Sequence, residues 1–340
     1  MSQEKNKVIL EVKNLYKKFP ITSAFLKRTI GHVNAVNDVS FVIHEGETFG
    51  LVGESGCGKT TLGRSILRAI EPSSGKIEFL NRRDKIVNVE TLNHKELTKV
   101  RRDMQMIFQD PYSSLNPRWV VQNTIAEPLV SNTDMSAKQI KERVEELMDL
   151  VGLNKRYLER YPHAFSGGQR QRIGIARALA TNPRFLVCDE AVSALDVSVQ
   201  AQVINLLVEL QEKLKLSYLF ISHDLSVIQH ISDRVGVMYL GKMVESSITS
   251  NVFNQPLHPY TEALLSAKPI ADPRIKKEQI ILEGEVPNPA NPPSGCFFHT
   301  RCRYCIDRCK EEAPEYREVN PGHFAACHRV EELDLQGVAG

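Results

Sequence analysis

At 340 residues, 42% hydrophobic and 25% charged, the chain has length for about two domains and enough apolar content for a sizeable core, which excludes a disordered protein. Its 43 Lys and Arg against 41 Asp and Glu leave a formal charge of +2, too weak a field for nucleic acid or an acidic membrane to be the main ligand. No uncharged apolar run approaches the ~20 residues that span a bilayer, and residues 1–7 lack the apolar core of a signal peptide, so a cytoplasmic chain is expected. Seven cysteines in such a chain are not read as disulfides, and five of them fall between Cys296 and Cys327.

Apolar runs at 8–12, 39–43 and 48–52 predict strands, with residues 20–32 as the longest intervening turn or insertion. A helical pattern over 60–69 follows the third strand, and Pro72-Ser73-Ser74-Gly75 breaks it in favour of a strand over 76–80. Ser136 can cap a helix in which Ile140, Val144, Leu147, Met148 and Val151 repeat at helical spacing before Gly152, so residues 115–180 read as a mostly helical insert. Short apolar runs at 185–188 and 218–221, separated by a helical stretch over 197–215, are what a parallel sheet buried on both faces requires. Past about residue 250 the text turns Pro-rich, with Pro287, Pro289, Pro292 and Pro293 leading to the cysteines, and reads as a linker to a small appended module. No internal repeat is visible.

Gly53-Glu54-Ser55-Gly56-Cys57-Gly58-Lys59-Thr60 satisfies G-x-x-x-x-G-K-S/T between a strand and a helix. Glycines let the backbone curl so that successive N–H groups and the helix N-terminus face phosphate oxygens. Lys59 is expected to neutralise β/γ-phosphate charge, Thr60 to supply a hydroxyl to Mg²⁺, and Thr61 to continue the binding stretch. Cys57 is a loop residue without chemistry of its own. At the end of the 185–188 run stand two carboxylates: Asp189, placed for Mg²⁺, and Glu190, placed to polarise an attacking water. Cys188 reads as core.

Phe165-Ser166-Gly167-Gly168-Gln169-Arg170-Gln171-Arg172, with its Ser 23 residues before Asp189, resembles the signature motif of ABC ATPases. In order along the chain, Gln109 is similar to that family's Q-loop glutamine, Ser193-Ala194-Leu195-Asp196 to its D-loop, and His223 to its switch histidine. The resemblance implies an α/β P-loop ATPase core with an N-terminal antiparallel β layer, spanning 7–255, followed by an extension over 256–340. It implies that Ser166, Gly167, Gly168 and Gln169 meet the γ-phosphate of ATP held by an opposite subunit, that Gln109 meets Mg²⁺ or water, and that His223 supports the γ-phosphate. It places an aromatic ring on the adenine, for which Phe19 has the register and Tyr16 is the alternative.

His258-Pro259-Tyr260-Thr261-Glu262-Ala263-Leu264-Leu265 resembles the C-terminal region of ATPases from dipeptide and oligopeptide importers, and Gly63-Arg64 with Pro111-Tyr112-Ser113-Ser114-Leu115-Asn116-Pro117-Arg118 looks like their F-type subunit. That group implies a heterodimer with a D-type ATPase, two permease subunits, an external solute-binding protein, and attachment at the cytoplasmic face of the membrane. The alternatives are a nickel or other solute importer, a soluble ABC ATPase, and a redox- or iron-responsive regulatory ATPase. A single phosphate loop without a heptad stretch weighs against the soluble class.

The cysteine spacing C-x5-C-x2-C-x3-C-x17-C suits a soft metal site, either zinc or an iron–sulfur cluster, with reduced unliganded thiols as the third reading. The importer resemblance implies a 4Fe–4S motif on Cys296, Cys302, Cys309 and Cys327, with Cys305 as the extra or alternative sulfur. His299, His323 and His328 read as surface residues.

Overall fold

Thr48, Phe49, Gly50, Leu51 and Val52 are all buried, a strand without a solvent face, as a continuous apolar run demands. The computed structural model describes residues 7–22, 28–110, 112–268 and 279–338; Pro111, quoted above in an importer motif, and residues 1–6 lie outside the described residues. The strands and helices are β1 (Val8–Thr22), β2 (Thr29–His44), β3 (Thr48–Val52), α1 (Lys59–Ile66), β4 (Ser74–Leu80), β5 (Ile86–Asn88), α2 (His94–Val100), β6 (Met104–Ile107), α3 (Val121–Asn132), α4 (Ala137–Leu150), α5 (Gly167–Leu179), β7 (Phe185–Asp189), α6 (Val197–Leu214), β8 (Ser217–Ile221), α7 (Leu225–Ile231), β9 (Arg234–Tyr239), β10 (Lys242–Ile248), α8 (Thr249–Asn254), α9 (Pro259–Ser266), α10 (Asp307–Glu311), β11 (Arg317–Asn320) and β12 (His323–Ala325).

The expected insertion over 20–32 is not a break on that scale. β1 runs through Pro20 to Thr22, and β2 begins at Thr29. Most side chains past Leu15 on β1 are exposed or half-buried, so the strand is carried there by its backbone ladder, which leaves no apolar alternation to read. α1 in turn stops at Ile66 rather than 69, because Arg68 adopts φ 48°, outside the helical region. β1, β2, β4 and β5 form a four-stranded sheet in the order β2-β1-β4-β5, with β4 and β5 antiparallel.

The chain divides into two compact units, each gathered from separate stretches. The first takes the described residues of Met1–Glu11, Val42–Thr48 and Glu78–Ile221. In it β6, β7 and β8 run parallel, with Ile107 opposite Cys188 and Cys188 opposite Phe220. α3, α4 and α5 pack on one another. Ser166 and Ser136 each close a capping box, with Gln169 and Gln139 respectively, satisfying two of the orphan N–H groups at each helix start. Val144, Leu147 and Met148 of α4 are fully buried, together worth roughly 5–9 kcal/mol of transfer free energy.

The second unit takes the described residues of Val12–Phe41, Phe49–Ile77 and Ser222–Gly340. Here β3 runs parallel to β9, β9 antiparallel to β10, β10 antiparallel to β12, and β12 antiparallel to β11. The Cys-rich stretch is therefore not set apart as the expected appended module: β12 extends the sheet that holds β3, pairing Ala325 with Glu245 and Phe324 with Ser246. Phe298, 2% exposed, packs at 5.3 and 5.4 Å from the rings of Tyr239 and Tyr260, so the extension contributes core. Its polar pins are buried carboxylates. Glu245 accepts from the Leu257 and His258 N–H groups at 2.8 and 2.9 Å and lies 2.8 Å from His323 Nε2. His323 is 2% exposed and corrects the surface reading: a polar residue at a strand start looks solvated in sequence, and its carboxylate partner is 78 residues away.

Candidate functional site

In the second unit the phosphate loop leaves β3 at Gly53 and enters α1 at Lys59. Gly53 has φ +149°, and a Cβ there would lie 2.2 Å from the Met238 carbonyl oxygen; Gly58 has φ +104°, with the Ala35 carbonyl oxygen 2.0 Å from where its Cβ would stand. Both positions require glycine on two counts, backbone conformation and space. Gly241 N–H donates to the Cys57 carbonyl at 2.9 Å, tying the loop to the β9–β10 turn. Lys59 is buried, and its ammonium donates to the Gly53 and Glu54 carbonyls at 2.7 and 3.0 Å. Cys57 is buried beside it; burial pushes its thiol up, against the opposing pull of Lys59. Ser55 and Gly56 are exposed, and Thr60 and Thr61 half-buried.

Glu54, read from sequence as part of the nucleotide-binding stretch, turns its carboxylate to Arg301, which donates from Nη1 and Nη2 at 2.8 and 3.1 Å. The Glu54 N–H donates to the Tyr260 hydroxyl at 2.8 Å. Arg301 is the residue that sequence reasoning missed; 247 positions separate it from Glu54, and no local pattern announces the pair. His223 and Gly53 line one cavity of about 400 Å³ with Val52, Asp224, Leu225 and Leu264. Asp224 caps α7 through the Ser226 and Val227 N–H groups, which fixes the backbone next to His223. Phe19, 37% exposed on β1, carries the Lys17 ammonium 4.8 Å from its ring centroid; Tyr16, the alternative ring, is half-buried.

The first unit holds the carboxylates and the signature stretch. Asp189 ends β7 fully buried. Glu190 follows at φ 47°, an unusual backbone for a non-glycine residue. Its N–H donates to the Ile221 carbonyl, and its own carbonyl accepts from the Ser193 N–H and hydroxyl at 3.1 and 3.0 Å. Gln109 Nε2 donates to Glu190 Oε2 at 2.7 Å, bringing together two of the residues assigned to water and metal. Ser166, exposed, caps α5 by accepting from the Gln169 N–H, and Gln169 reciprocates. Gly168 is buried against α6, where a Cβ would meet Val199 Cγ1 at 2.4 Å, while Gly167 has Leu195 Cδ2 at 3.3 Å. The signature glycines thus allow close helix packing while leaving bare N–H groups at a helix start, a surface suited to an anion.

Four of the clustered cysteines, Cys296, Cys302, Cys309 and Cys327, line one cavity in the second unit with His258, His299 and His328; Cys305 is not in its wall. Burial pushes Cys296 up to about 11 and Cys302 up to about 12. Among the described residues no group of three or more His, Cys, Asp or Glu side chains is arranged as a ready metal site. Nor is any helix among them long and apolar enough to cross a membrane.

A glycine-built phosphate loop with a buried lysine, and a strand-end carboxylate pair with a glutamine on it, define a P-loop ATPase. The ABC transporter family profile matches residues 36–193, and the profile of the oligopeptide/dipeptide transporter C-terminal region matches 244–309. The chain is 53% identical over 331 residues to the oligopeptide transport ATP-binding protein AppF of Bacillus subtilis (strain 168), covering 96% of this chain and 99% of that one. Among solved structures it is similar to the ATP-binding cassette MJ0796 in a dimeric post-hydrolysis state bound to ADP and Pi, at 27% identity and TM-score 0.61 over 71% of this chain and 99% of that one. A like match is cbiO1 of Clostridium perfringens, part of the ABC transporter complex cbiONQ, at 27% identity and TM-score 0.61 over 73% and 91%. The chain belongs to the ATP-binding proteins of oligopeptide ABC transporters, ATPases that work on ATP with Mg²⁺.

Proposed function

We propose that this chain is the ATP-hydrolysing subunit of a peptide importer, attached at the cytoplasmic face of the membrane to two permease subunits, paired with a paralogous ATPase and fed by an external solute-binding protein. The observation that carries the reading is the joining, on one chain, of the ABC transporter region at 36–193 to the oligopeptide/dipeptide transporter region at 244–309. The near full-length likeness to AppF adds weight. ATP is held by the loop from Gly53 to Thr61, with Phe19 on the adenine and Lys59 on the β- and γ-phosphates. Thr60, Asp189 and Gln109 serve Mg²⁺ or its waters. Glu190 polarises the attacking water, and His223 supports the γ-phosphate. Ser166, Gly167, Gly168 and Gln169 face the nucleotide of the partner ATPase. Charge neutralisation and water positioning supply most of the acceleration in such phosphoryl transfers.

The C-terminal sulfurs are assigned to a 4Fe–4S cluster on Cys296, Cys302, Cys309 and Cys327, with zinc the competing occupant. Two features support this: the chemistry of four soft donors, and the cavity they share without Cys305. The cluster would supply a cross-link that closes the loops of the extension.

The function is tested by reconstituting the chain with its permease, partner ATPase and binding protein in vesicles. ATP-dependent uptake of labelled di- and oligopeptides, lost with Glu190→Gln, is the expected result. Peptides that neither enter nor stimulate ATP turnover, with nickel chelates doing both, would overturn the peptide reading in favour of the related solute importer.

A further inference from the structure

Glu54 is the only acidic residue in the phosphate loop, and all three of its polar groups are engaged. Its N–H donates to the Tyr260 hydroxyl at 2.8 Å, its carbonyl accepts from Lys59 at 3.0 Å, and its carboxylate takes both arms of the Arg301 guanidinium at 2.8 and 3.1 Å. Two of those three partners lie beyond residue 255, in the stretch that carries the transporter-specific C-terminal region. The Arg301 side chain is 7% exposed and that of Glu54 26%, so the pair is sheltered and weakly screened. Tyr260 is fully buried, its ring 5.4 Å from that of Phe298, and Arg301 ends the short turn that begins just after Phe298.

A carboxylate in a loop that gathers N–H groups around a polyphosphate works against the ligand's charge. Left unpaired it would repel the β- and γ-phosphates and would be free to turn toward Lys59, the group meant for them. A bidentate guanidinium removes both problems, because it cancels the charge and holds the side chain in one orientation. We infer that Arg301 is a positioning residue of the nucleotide site: through Glu54, and together with Tyr260, the C-terminal extension fixes the phosphate loop in the shape and charge state that receives the triphosphate. Arg301 and Tyr260 both belong to the transporter-specific region, so that region acts on ATP affinity through Glu54. The inference rests on the reading of the Gly53–Thr60 loop as the ATP phosphate site.

The test is calorimetric titration of the full-length chain with Mg-ATP and Mg-ADP at two salt concentrations, with a thermal melt of each variant. Arg301→Ala is expected to weaken Mg-ATP binding about 10-fold, more than Mg-ADP, and less at high salt. Arg301→Lys is expected to keep part of the affinity. Adding Glu54→Gln to Arg301→Ala is expected to recover most of the affinity loss, because the unpaired carboxylate is gone; a merely structural role for Arg301 would instead leave affinity following the melting temperature from variant to variant. Unchanged ATP affinity in folded Arg301→Ala, or a double variant as weak as the single one, would overturn the inference. Should Arg301→Ala fail to fold, the comparison of Arg301→Lys with Arg301→Gln decides, equal affinities counting against it. Lys59→Ala is the separate control: ATP binding that survives it refutes the phosphate-loop reading and not the Arg301 pairing.

Discussion

Gln109 donates to Glu190 across 2.7 Å, joining the residue that follows β6 by two positions to the one that follows β7. Parallel pairing of these strands, with Ile107 level with Cys188, is what brings residues 81 apart to the same sheet end. An amide on a carboxylate fixes its orientation without altering its charge, and the strained φ of Glu190 fixes the backbone beneath it.

From this relationship follows an ordered pair of kinetic effects. Glu190→Gln keeps the size and the hydrogen bond but removes the base, so ATP turnover in the assembled transporter is expected to fall about 10³-fold with nucleotide binding retained. Gln109→Ala leaves the carboxylate in place but removes its orienting amide and the proposed contact to Mg²⁺ or its waters, and is expected to lower turnover by the smaller factor of about 10. Steady-state ATPase assays beside equilibrium ATP binding measure both; equal losses from the two variants would contradict the division of roles.

Gly58 makes a prediction about space. An alanine there would put its Cβ 2.0 Å from the Ala35 carbonyl oxygen at φ +104°, whereas Gly56 at φ +80° has nothing within 4 Å. Gly56→Ala is expected to cost about 1 kcal/mol through backbone strain alone. Gly58→Ala adds a clash with backbone and is expected to cost more, about 2–4 kcal/mol, and to abolish Mg-ATP binding. Urea melts and ATP titrations of the two variants give the comparison.

The contrast between those glycines also marks what the sequence could carry. The G-x-x-x-x-G-K-T spacing locates the loop because each residue acts locally, on its own backbone or through the helix it starts. β3, β7, β8 and the Ser136 cap of α4 were legible for the same reason: continuous apolar runs and a serine ahead of a helical repeat are local signals. Arg301 and His323 were not, since each is defined by a carboxylate on a distant strand or loop, and a lone Arg or His carries no mark of its partner. The strand beyond Leu15 was likewise hidden, because exposed side chains on a backbone ladder have no periodicity to detect.

His258 carries a pH dependence. It is 1% exposed, its Nδ1 accepts from the Tyr260 N–H at 3.1 Å, and burial pushes its pKa down to about 3. A histidine held neutral when folded contributes stability in full above its unfolded value near 6.5, and that contribution is lost as pH falls toward 3, because the unfolded chain takes the proton first. By pH 5 the loss is about 2 kcal/mol. His258→Asn, which keeps a side-chain acceptor at the N-cap of α9, is expected to flatten this part of the stability profile between pH 7 and pH 5. Denaturation at stepped pH values measures it; a variant with the wild-type acid slope would assign the dependence to other groups.

The sulfurs make the last prediction. Cys296, Cys302, Cys309 and Cys327 share a cavity wall that Cys305 does not, and Cys305 directs its thiol to the Ile306 carbonyl instead. Ser at any of the four is expected to lower iron content and the absorption near 400 nm characteristic of a 4Fe–4S centre, whereas Cys305→Ser is expected to leave both unchanged. With Cys296 and Cys302 raised by burial to about 11 and about 12, metal must displace protons from thiols at neutral pH. Affinity is therefore expected to rise with pH, because each thiol that binds metal gives up its proton. Competition titrations against a chelator at several pH values read that rise. Loss of iron in Cys305→Ser with retention in Cys327→Ser would move the site onto the Cys302, Cys305 and Cys309 run, and a pH-independent affinity would count against thiolate ligation altogether.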